Sequence, residues 1–221
     1  MKLYVFVLGS IFGSFLYCIT NRIIDNKSIL ERSRCEYCNH ILSIFDMIPI
    51  ISYCFNKGKC RYCGHSLQID YLIYEIITGL SFELIYIKKL EFIYYLILLC
   101  LIVIVIYDFR LLVIPNRIIL ILILIYLTKF NIYSFLNSLL ITFILYLFIK
   151  TIENIKHKEM MGRGDLKLIF TLGLYLNQYR IIKMLFISCL LGIIFNYKNK
   201  DRFAFGPYLC ISFLLLTFLN I

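Results

Sequence analysis

Charged residues are scarce in this 221-residue chain, and the acidic ones are the scarcest. Asp, Glu, Lys and Arg make up only 16% of the sequence, whereas 62% of the residues are hydrophobic and the mean hydropathy is +0.86. Ordinary soluble domains are nearer one-quarter charged and half apolar. The apolar residues also form runs of about the length that crosses a lipid bilayer. The composition therefore excludes an ordinary soluble domain and predicts a protein in contact with membrane lipid.

A second absence concerns the N-terminal apolar run. No small-residue cleavage site separates it from the basic segment that follows, so we interpret it as a retained signal-anchor helix and not as a cleaved signal peptide. The hydrophobic runs predict an all-α polytopic membrane protein with about eight transmembrane helices. These are 3–20, 70–87, 92–107, 115–128, 132–149, 165–178, 181–195 and 206–220. We divide the chain into a first transmembrane helix (1–20), a four-cysteine loop domain (21–69) and a transmembrane bundle (70–221).

The 13 acidic residues are outnumbered by 23 basic ones, which gives a formal net charge of +10. In a soluble protein this excess would suggest nucleic-acid binding. Here, however, seventeen of the Lys and Arg residues fall in or beside the alternate loops 21–69, 108–114, 150–164 and 196–205. Cytoplasmic loops of membrane proteins carry such an excess. The pattern therefore argues against nucleic acid and predicts a multi-pass protein of the cytoplasmic membrane with both termini outside.

Two C-x-x-C pairs stand in the only sizeable polar segment. They are Cys35 with Cys38 and Cys60 with Cys63, and 21 residues separate the pairs. Each pair lets two thiolates hold one edge of a metal ion, and two pairs complete a tetrahedral Zn²⁺ site. Disulfides fit poorly with a loop in the reducing cytoplasm, and a redox C-x-x-C needs only one pair. We therefore predict a small zinc-ribbon-like loop in which these four cysteines bind structural zinc.

Two aspartates stand at the ends of separate apolar runs. Asp108 follows the run 92–107, and Asp165 closes the sequence G-R-G-D at 162–165, directly before another run. Such residues can be only a helix N-cap or a headgroup-level carboxylate. Acidic groups near membrane helices are nevertheless costly and usually functional, and the charge pattern places both aspartates on the cytoplasmic side. We predict a catalytic pair in which one carboxylate activates water while the other holds a proton.

A third acid, Glu75, is predicted to lie about one turn inside an apolar helix. An acid within the membrane is a functional candidate by default. The alternative is a purely structural role, with Glu75 paired to Arg22 or another basic residue. The sequence favours neither.

Several of these motifs resemble those of the type IV prepilin peptidases. The run Gly162-Arg163-Gly164-Asp165 resembles the GxGD signature of that family, which the presenilin-type proteases share more distantly. The residues D-F-R and I-P-N-R at 108–117 resemble the family's first catalytic motif. The cysteine loop at 46–64, the Y-x-x-x-E at 71–75 and the F-G-P at 205–207 also resemble family segments, although Leu72 stands where proline is usual. The similarity runs from about residue 9 to residue 208.

The resemblance implies a membrane aspartyl endopeptidase that cuts the short basic leader of prepilins or pseudopilins after a glycine. Asp108 and Asp165 would be the catalytic residues, with Gly162 and Gly164 supporting the motif. Many members then N-methylate the new N-terminus with S-adenosylmethionine. The resemblance implies this second activity too, although the sequence has no glycine-rich strand-to-helix fingerprint for that cofactor.

The competing class is a membrane structural or transport protein with a zinc-binding loop, because acids inside membranes also mark ion pathways. A proton pathway would place acids at several depths. The two aspartates are instead predicted at one cytoplasmic level, which favours the peptidase.

Overall fold

The structure is a computed structural model that describes residues 1–157, 161–196 and 203–219. Within these ranges the chain is helical and contains no strand, only two isolated β-bridges in the polar loop. The helices are α1 (Lys2–Ile24), α2 (Ile51–Phe55), α3 (Ile69–Ile87), α4 (Ile93–Leu111), α5 (Asn116–Leu127), α6 (Ile132–Lys156), α7 (Arg163–Gly173), α8 (Gln178–Asn196) and α9 (Gly206–Leu219). A 3₁₀ turn, Ile44–Met47, precedes α2. The all-α fold class is confirmed, and a helix overlaps each of the eight predicted segments.

Four helices, α1, α4, α6 and α8, are long and apolar enough to cross a membrane by length and composition. Helices α5 and α9 are shorter but also apolar. Helix α3 is 19 residues long and carries Asp70, Glu75 and Glu83. Helix α6 buries only Ser138 and leaves most of its apolar residues on the surface, as expected of a helix that faces lipid. The protein is therefore a helical membrane protein.

Two predicted boundaries are wrong by five residues or more. The predicted loop 150–164 is helical through Lys156, because the stretch from residue 132 contains no proline or glycine that would end α6. The helix stops where His157 adopts a left-handed conformation, with φ of 50°. Helix α7 ends at Gly173 and not at residue 178, and a turn leads into α8. Two parts of the predicted loops lie outside the described residues: 158–160 in the loop 150–164, and 197–202 in the loop 196–205.

The first compact unit, Met1–Val103, is built on the packing of α1 against α3. A Cβ placed on Gly9 would lie 2.7 Å from Cβ of Phe82, and one placed on Gly13 would lie 2.8 Å from the carbonyl oxygen of Tyr74. Real Cβ atoms do not approach other atoms so closely. The glycines therefore let the two helix backbones touch, as small residues do in membrane helix pairs.

The second compact unit, Ile104–Ile221, begins within α4 and contains α5 to α9. Helix α7 contacts α5, α6 and α9. The hydroxyl of Ser138 in α6 donates to the carbonyl of Phe170 over 2.6 Å, and Nζ of Lys167 donates to Oδ1 of Asn116 over 2.8 Å. With 11 residues, α7 is about 16 Å long, which is too short to span a bilayer alone. Its neighbours therefore fix its position, and with it the position of its first turn.

Candidate active site and metal centre

Asp108 lies in the last turn of α4 with only 4% of its surface exposed. Its Oδ2 accepts a 2.8 Å hydrogen bond from the backbone N–H of Gly206, the first residue of α9. A Cβ on Gly206 would lie 2.7 Å from that same oxygen. The carboxyl group thus fits against α9 only because residue 206 has no side chain.

Asp165 lies in the first turn of α7 and is half-buried. A Cβ on Gly162 would lie 3.0 Å from Oδ2 of Asp165, which is closer than side-chain carbons normally come. A Cβ on Gly164 would lie 3.3 Å from Cβ of Ile114, just before α5. The two glycines of the G-R-G-D sequence therefore have separate tasks. Gly162 leaves room for the carboxyl group, and Gly164 lets the start of α7 approach the segment before α5.

The structure brings the two aspartates together within the second unit. The charge of Asp108 acts on the carboxyl group of Asp165, so the two groups lie within electrostatic range although 57 residues separate them in sequence. Within the described ranges, no Lys or Arg comes within ion-pair distance of either group. Asp108 is almost completely buried and Asp165 is half-buried, and two such carboxyl groups that repel each other cannot both ionise at low cost. Acids that interact in this way can share one proton.

Glu75 belongs to the first unit and is 6% exposed. One of its oxygens, Oε2, accepts a 2.7 Å hydrogen bond from the backbone N–H of Ile50, and the side chain of Ser14 also hydrogen-bonds to it. Ile50 has φ of 63°, a conformation that β-branched residues rarely adopt. Arg22 donates instead to backbone carbonyls, at Ile29 over 3.1 Å and at Glu31 over 2.6 Å. Within the described residues Glu75 has no ion pair with Arg22 or with another basic residue, so that structural alternative is wrong. Glu75 instead anchors the strained turn at Ile50.

The sulfur atoms of Cys35, Cys38, Cys60 and Cys63 all lie within 4.8 Å of one another, and those of Cys35 and Cys63 are 3.9 Å apart. Tetrahedral Zn²⁺ with Zn–S bonds of about 2.3 Å places sulfurs about 3.8 Å apart, so the cluster has suitable dimensions for zinc. All nine cysteines are free. The four clustered thiols could therefore hold a metal ion.

The two halves of the cluster repeat one backbone pattern. In each half the N–H of the first cysteine donates to the carbonyl of a histidine five residues later, from Cys35 to His40 over 3.0 Å and from Cys60 to His65 over 2.8 Å. The carbonyl of each first cysteine then accepts the amide of the residue before that histidine. Each C-x-x-C thus forms its own tight knuckle, and the matched knuckles set four thiols around one point.

Two aromatic contacts join the knuckles. The ring of Tyr37 packs at a tilt against His65, and the ring of Tyr62 packs at a tilt against His40, so each knuckle places its tyrosine on the histidine of the other. These contacts were not predicted, although the parallel spacing of Tyr and His in the two halves was the signal that could have revealed them.

Contacts in and around the knuckles also shift three ionisation equilibria. Hydrogen bonds from the backbone of Cys38 and Tyr37 lower the pKa of the Cys35 thiol to about 7. The pKa of the Cys63 thiol instead rises to about 11, because desolvation and the other three cysteine side chains outweigh a hydrogen bond from the backbone of His65. The hydroxyl of Ser43 donates to Asp46 over 2.6 Å, and the Ser43 amide and the Tyr62 hydroxyl add weaker bonds, which together lower the pKa of Asp46. Asp46 therefore ties the 3₁₀ turn to the second knuckle.

Fold and site together define a class: a helical membrane protein with a paired-aspartate site and a four-cysteine loop. Two family models match this chain. The model described as the bacterial peptidase A24 N-terminal domain matches residues 7–89, and the model of the type IV leader peptidase family matches residues 95–197. The chain belongs to the type IV leader peptidase family.

Three curated relatives share the name prepilin leader peptidase/N-methyltransferase. The Myxococcus xanthus protein is 32% identical over 80 residues, which cover 36% of this chain and 24% of the relative. The Bacillus subtilis protein is 34% identical over 79 residues (35% and 32%), and the Legionella pneumophila protein is 37% identical over 82 residues (34% and 29%). The matches thus span about a quarter to a third of each relative's length. No solved structure matches the chain at comparable significance.

Proposed function

We propose that this chain is a membrane aspartyl endopeptidase that cuts the short basic leader from type IV prepilins or pseudopilins after a glycine. The observation that carries the proposal is that Asp108 and Asp165 lie within electrostatic range of each other, with Asp108 bonded to the first residue of α9 and Asp165 in the first turn of α7. Family membership and the shared name of the three relatives point to the same chemistry.

In the proposed reaction the pair holds one proton. The ionised carboxylate removes a proton from a water molecule, and the water oxygen attacks the scissile carbonyl carbon. The protonated carboxyl donates a hydrogen bond to the carbonyl oxygen as negative charge develops there. The proton taken from water then passes to the departing amide nitrogen, and the C–N bond breaks. The products are a leader with a carboxyl terminus and a mature protein with a free amine, and the pair again holds one proton.

The burial of the two carboxyl groups fits these two roles in the proposed reaction. Asp108 is almost completely enclosed and held by an amide, so its position is fixed. Asp165 keeps part of its surface open, which gives water a route to the pair. Beside Asp108, the apolar residues Phe109 and Val113 are exposed, as a surface that accepts an apolar substrate helix from the lipid would be. The basic leader would then lie on the cytoplasmic side, where the charge pattern places both aspartates.

The four cysteines are proposed to bind structural Zn²⁺. The loop has few buried side chains of its own, so metal binding would contribute much of its folding free energy. The four cysteines lie in the first unit and the two aspartates in the second. The role proposed for the metal is structural only.

A second activity, N-methylation of the newly exposed N-terminus with S-adenosylmethionine, is also proposed, because all three relatives carry N-methyltransferase in their names. Incubating the cleaved product with methyl-labelled S-adenosylmethionine and the full chain tests it directly. Label on the N-terminal residue supports the activity, and an unlabelled N-terminus after complete cleavage contradicts it.

A zinc-binding transport protein is the competing class. Ion pathways use acids at successive depths, whereas the paired aspartates both lie at helix ends within one unit. This placement favours hydrolysis.

The full chain, purified in detergent, should be mixed with a synthetic prepilin segment made of a basic leader, a glycine and the following apolar helix. Mass spectrometry should find a single cut after the glycine. Matched substrates test the two specificity features separately, one with the glycine replaced by leucine and one with the basic residues replaced by glutamine. Cleavage of all three substrates at equal rates, or of none by a well-folded sample, would refute the proposal.

A further inference from the structure

The first turn of α9 presents a backbone amide to Asp108. Residue 207 is proline and has no N–H, and the amides of Tyr208 and Leu209 both donate to the carbonyl of Phe205. This leaves the amide of Gly206, which points at Oδ2 of Asp108 in a fully buried hydrogen bond of 2.8 Å. The sequence F-G-P therefore directs one donor, at the start of a helix, onto one carboxyl oxygen.

A steric requirement accompanies this hydrogen bond. A Cβ on residue 206 would lie 2.7 Å from Oδ2 and 3.3 Å from Cγ of Asp108. Both atoms belong to a short side chain that is 4% exposed, so the carboxyl group has little room to retreat. Gly192 in α8 offers a contrast, because a Cβ there would meet its nearest atom at 3.6 Å, an ordinary van der Waals distance.

We infer that Gly206 is a positioning residue for Asp108: its amide fixes Oδ2, and its missing side chain leaves the space that the carboxyl group occupies. With Oδ2 held by the amide, Oδ1 remains as the carboxyl oxygen that the proposed reaction with water requires. This inference rests on the proposed peptidase function for its catalytic consequence, but the contact itself can be tested without any activity.

The first test is a double-mutant cycle on thermal stability, using the purified full-length chain in detergent. Gly206→Ala should lower Tm by about 3–8 °C because the added methyl group overpacks a buried site. In an Asp108→Ala background the same change should cost little, since the atoms it collides with are gone. Gly192→Ala is the matched control, and its effect on Tm should be small in both backgrounds.

An equal loss of Tm from Gly206→Ala in both backgrounds would overturn the inference. Should Gly206→Ala alone fail to accumulate, recovery of folded protein in the Asp108→Ala background supports the contact, and continued failure refutes it.

The second test is kinetic and separates positioning from general destabilisation. In monodisperse protein with normal substrate binding, Gly206→Ala should lower kcat by about 10- to 100-fold with KM unchanged, because a shift of an ångström or less misplaces a reacting group. Gly192→Ala should keep both constants. Full activity of Gly206→Ala would overturn the positioning role while leaving the peptidase proposal intact. If Asp108→Ala itself cleaved normally, the peptidase proposal would fail, and the stability cycle would still decide whether the contact exists.

Discussion

Removing the Glu75 side chain should release the strained turn at Ile50. In the structure the buried Glu75 carboxylate accepts the Ile50 amide over 2.7 Å. Leaving a buried polar group without its hydrogen-bond partner costs about 1–3 kcal/mol, and a residue held in a rare backbone conformation costs about 1–3 kcal/mol. Because these two free energies are similar, we expect Ile50 to keep its rare conformation only while Glu75 accepts its amide. Glu75→Ala should therefore raise the opening of residues 48–52 by about 10- to 100-fold.

Hydrogen exchange read by mass spectrometry is the assay, because the amides of residues 50–52 are all hydrogen-bonded within this turn or to Glu75. Glu75→Gln keeps an acceptor but loses the charge, and it should show an intermediate effect. Glu83→Ala removes an acid two turns further along α3 that is not at the turn, and it should leave exchange at 48–52 unchanged. Equal exchange in Glu75→Ala and the unaltered chain would refute the anchoring role.

Three further predictions concern the polar loop and the topology. The chain purified without chelator should contain about one Zn²⁺ per molecule. Cys60→Ser should remove the zinc and lower the yield of folded protein, whereas Cys54→Ser, which lies outside the cluster, should change neither. Zinc-free protein of normal yield would contradict the metal site. The hydrogen bonds that lower the pKa of Asp46 stabilise the loop at pH values above the ordinary carboxyl pKa, and this stabilisation is lost as the pH falls through the lowered pKa. The difference in Tm between the unaltered chain and Asp46→Asn should therefore shrink in acid. A Tm difference that stays constant with pH would contradict this prediction. Reporter fusions should place Lys57 in the cytoplasm and Lys129 outside, and the reverse result would separate the aspartates from a cytoplasmic leader.

The sequence predicted the helices well because apolar runs in a membrane protein are long and their polar interruptions are sharp. It failed where the boundary depended on something other than hydropathy. The end of α6 is set by the left-handed residue His157, beyond several charged residues that remain helical. The end of α7 comes at Gly173, where the chain packs so tightly that an added Cβ would lie 2.5 Å from Oγ of Ser138.

In the candidate site, too, some residues could be identified from the sequence and the roles of others could not. Asp108 and Asp165 could be selected from the sequence because ionisable groups at membrane helix ends are rare, and the cysteines because C-x-x-C spacing is fixed by metal geometry. The roles of Gly206 and Glu75 could not, because each acts through a backbone amide that is distant in sequence. Every residue except proline has a backbone N–H to donate, so the sequence does not identify the donor of such a hydrogen bond.

The most direct test of the account is the cleavage rate of four proteins on one prepilin substrate: the unaltered chain, Asp108→Asn, Asp165→Asn and the double variant. Asparagine keeps the size of the side chain but cannot share a proton. Each single change should lower kcat/KM by at least about 1,000-fold, and the double change should be little worse because the two residues act as one unit. Cleavage by folded Asp165→Asn at close to the normal rate would contradict the aspartyl-peptidase mechanism.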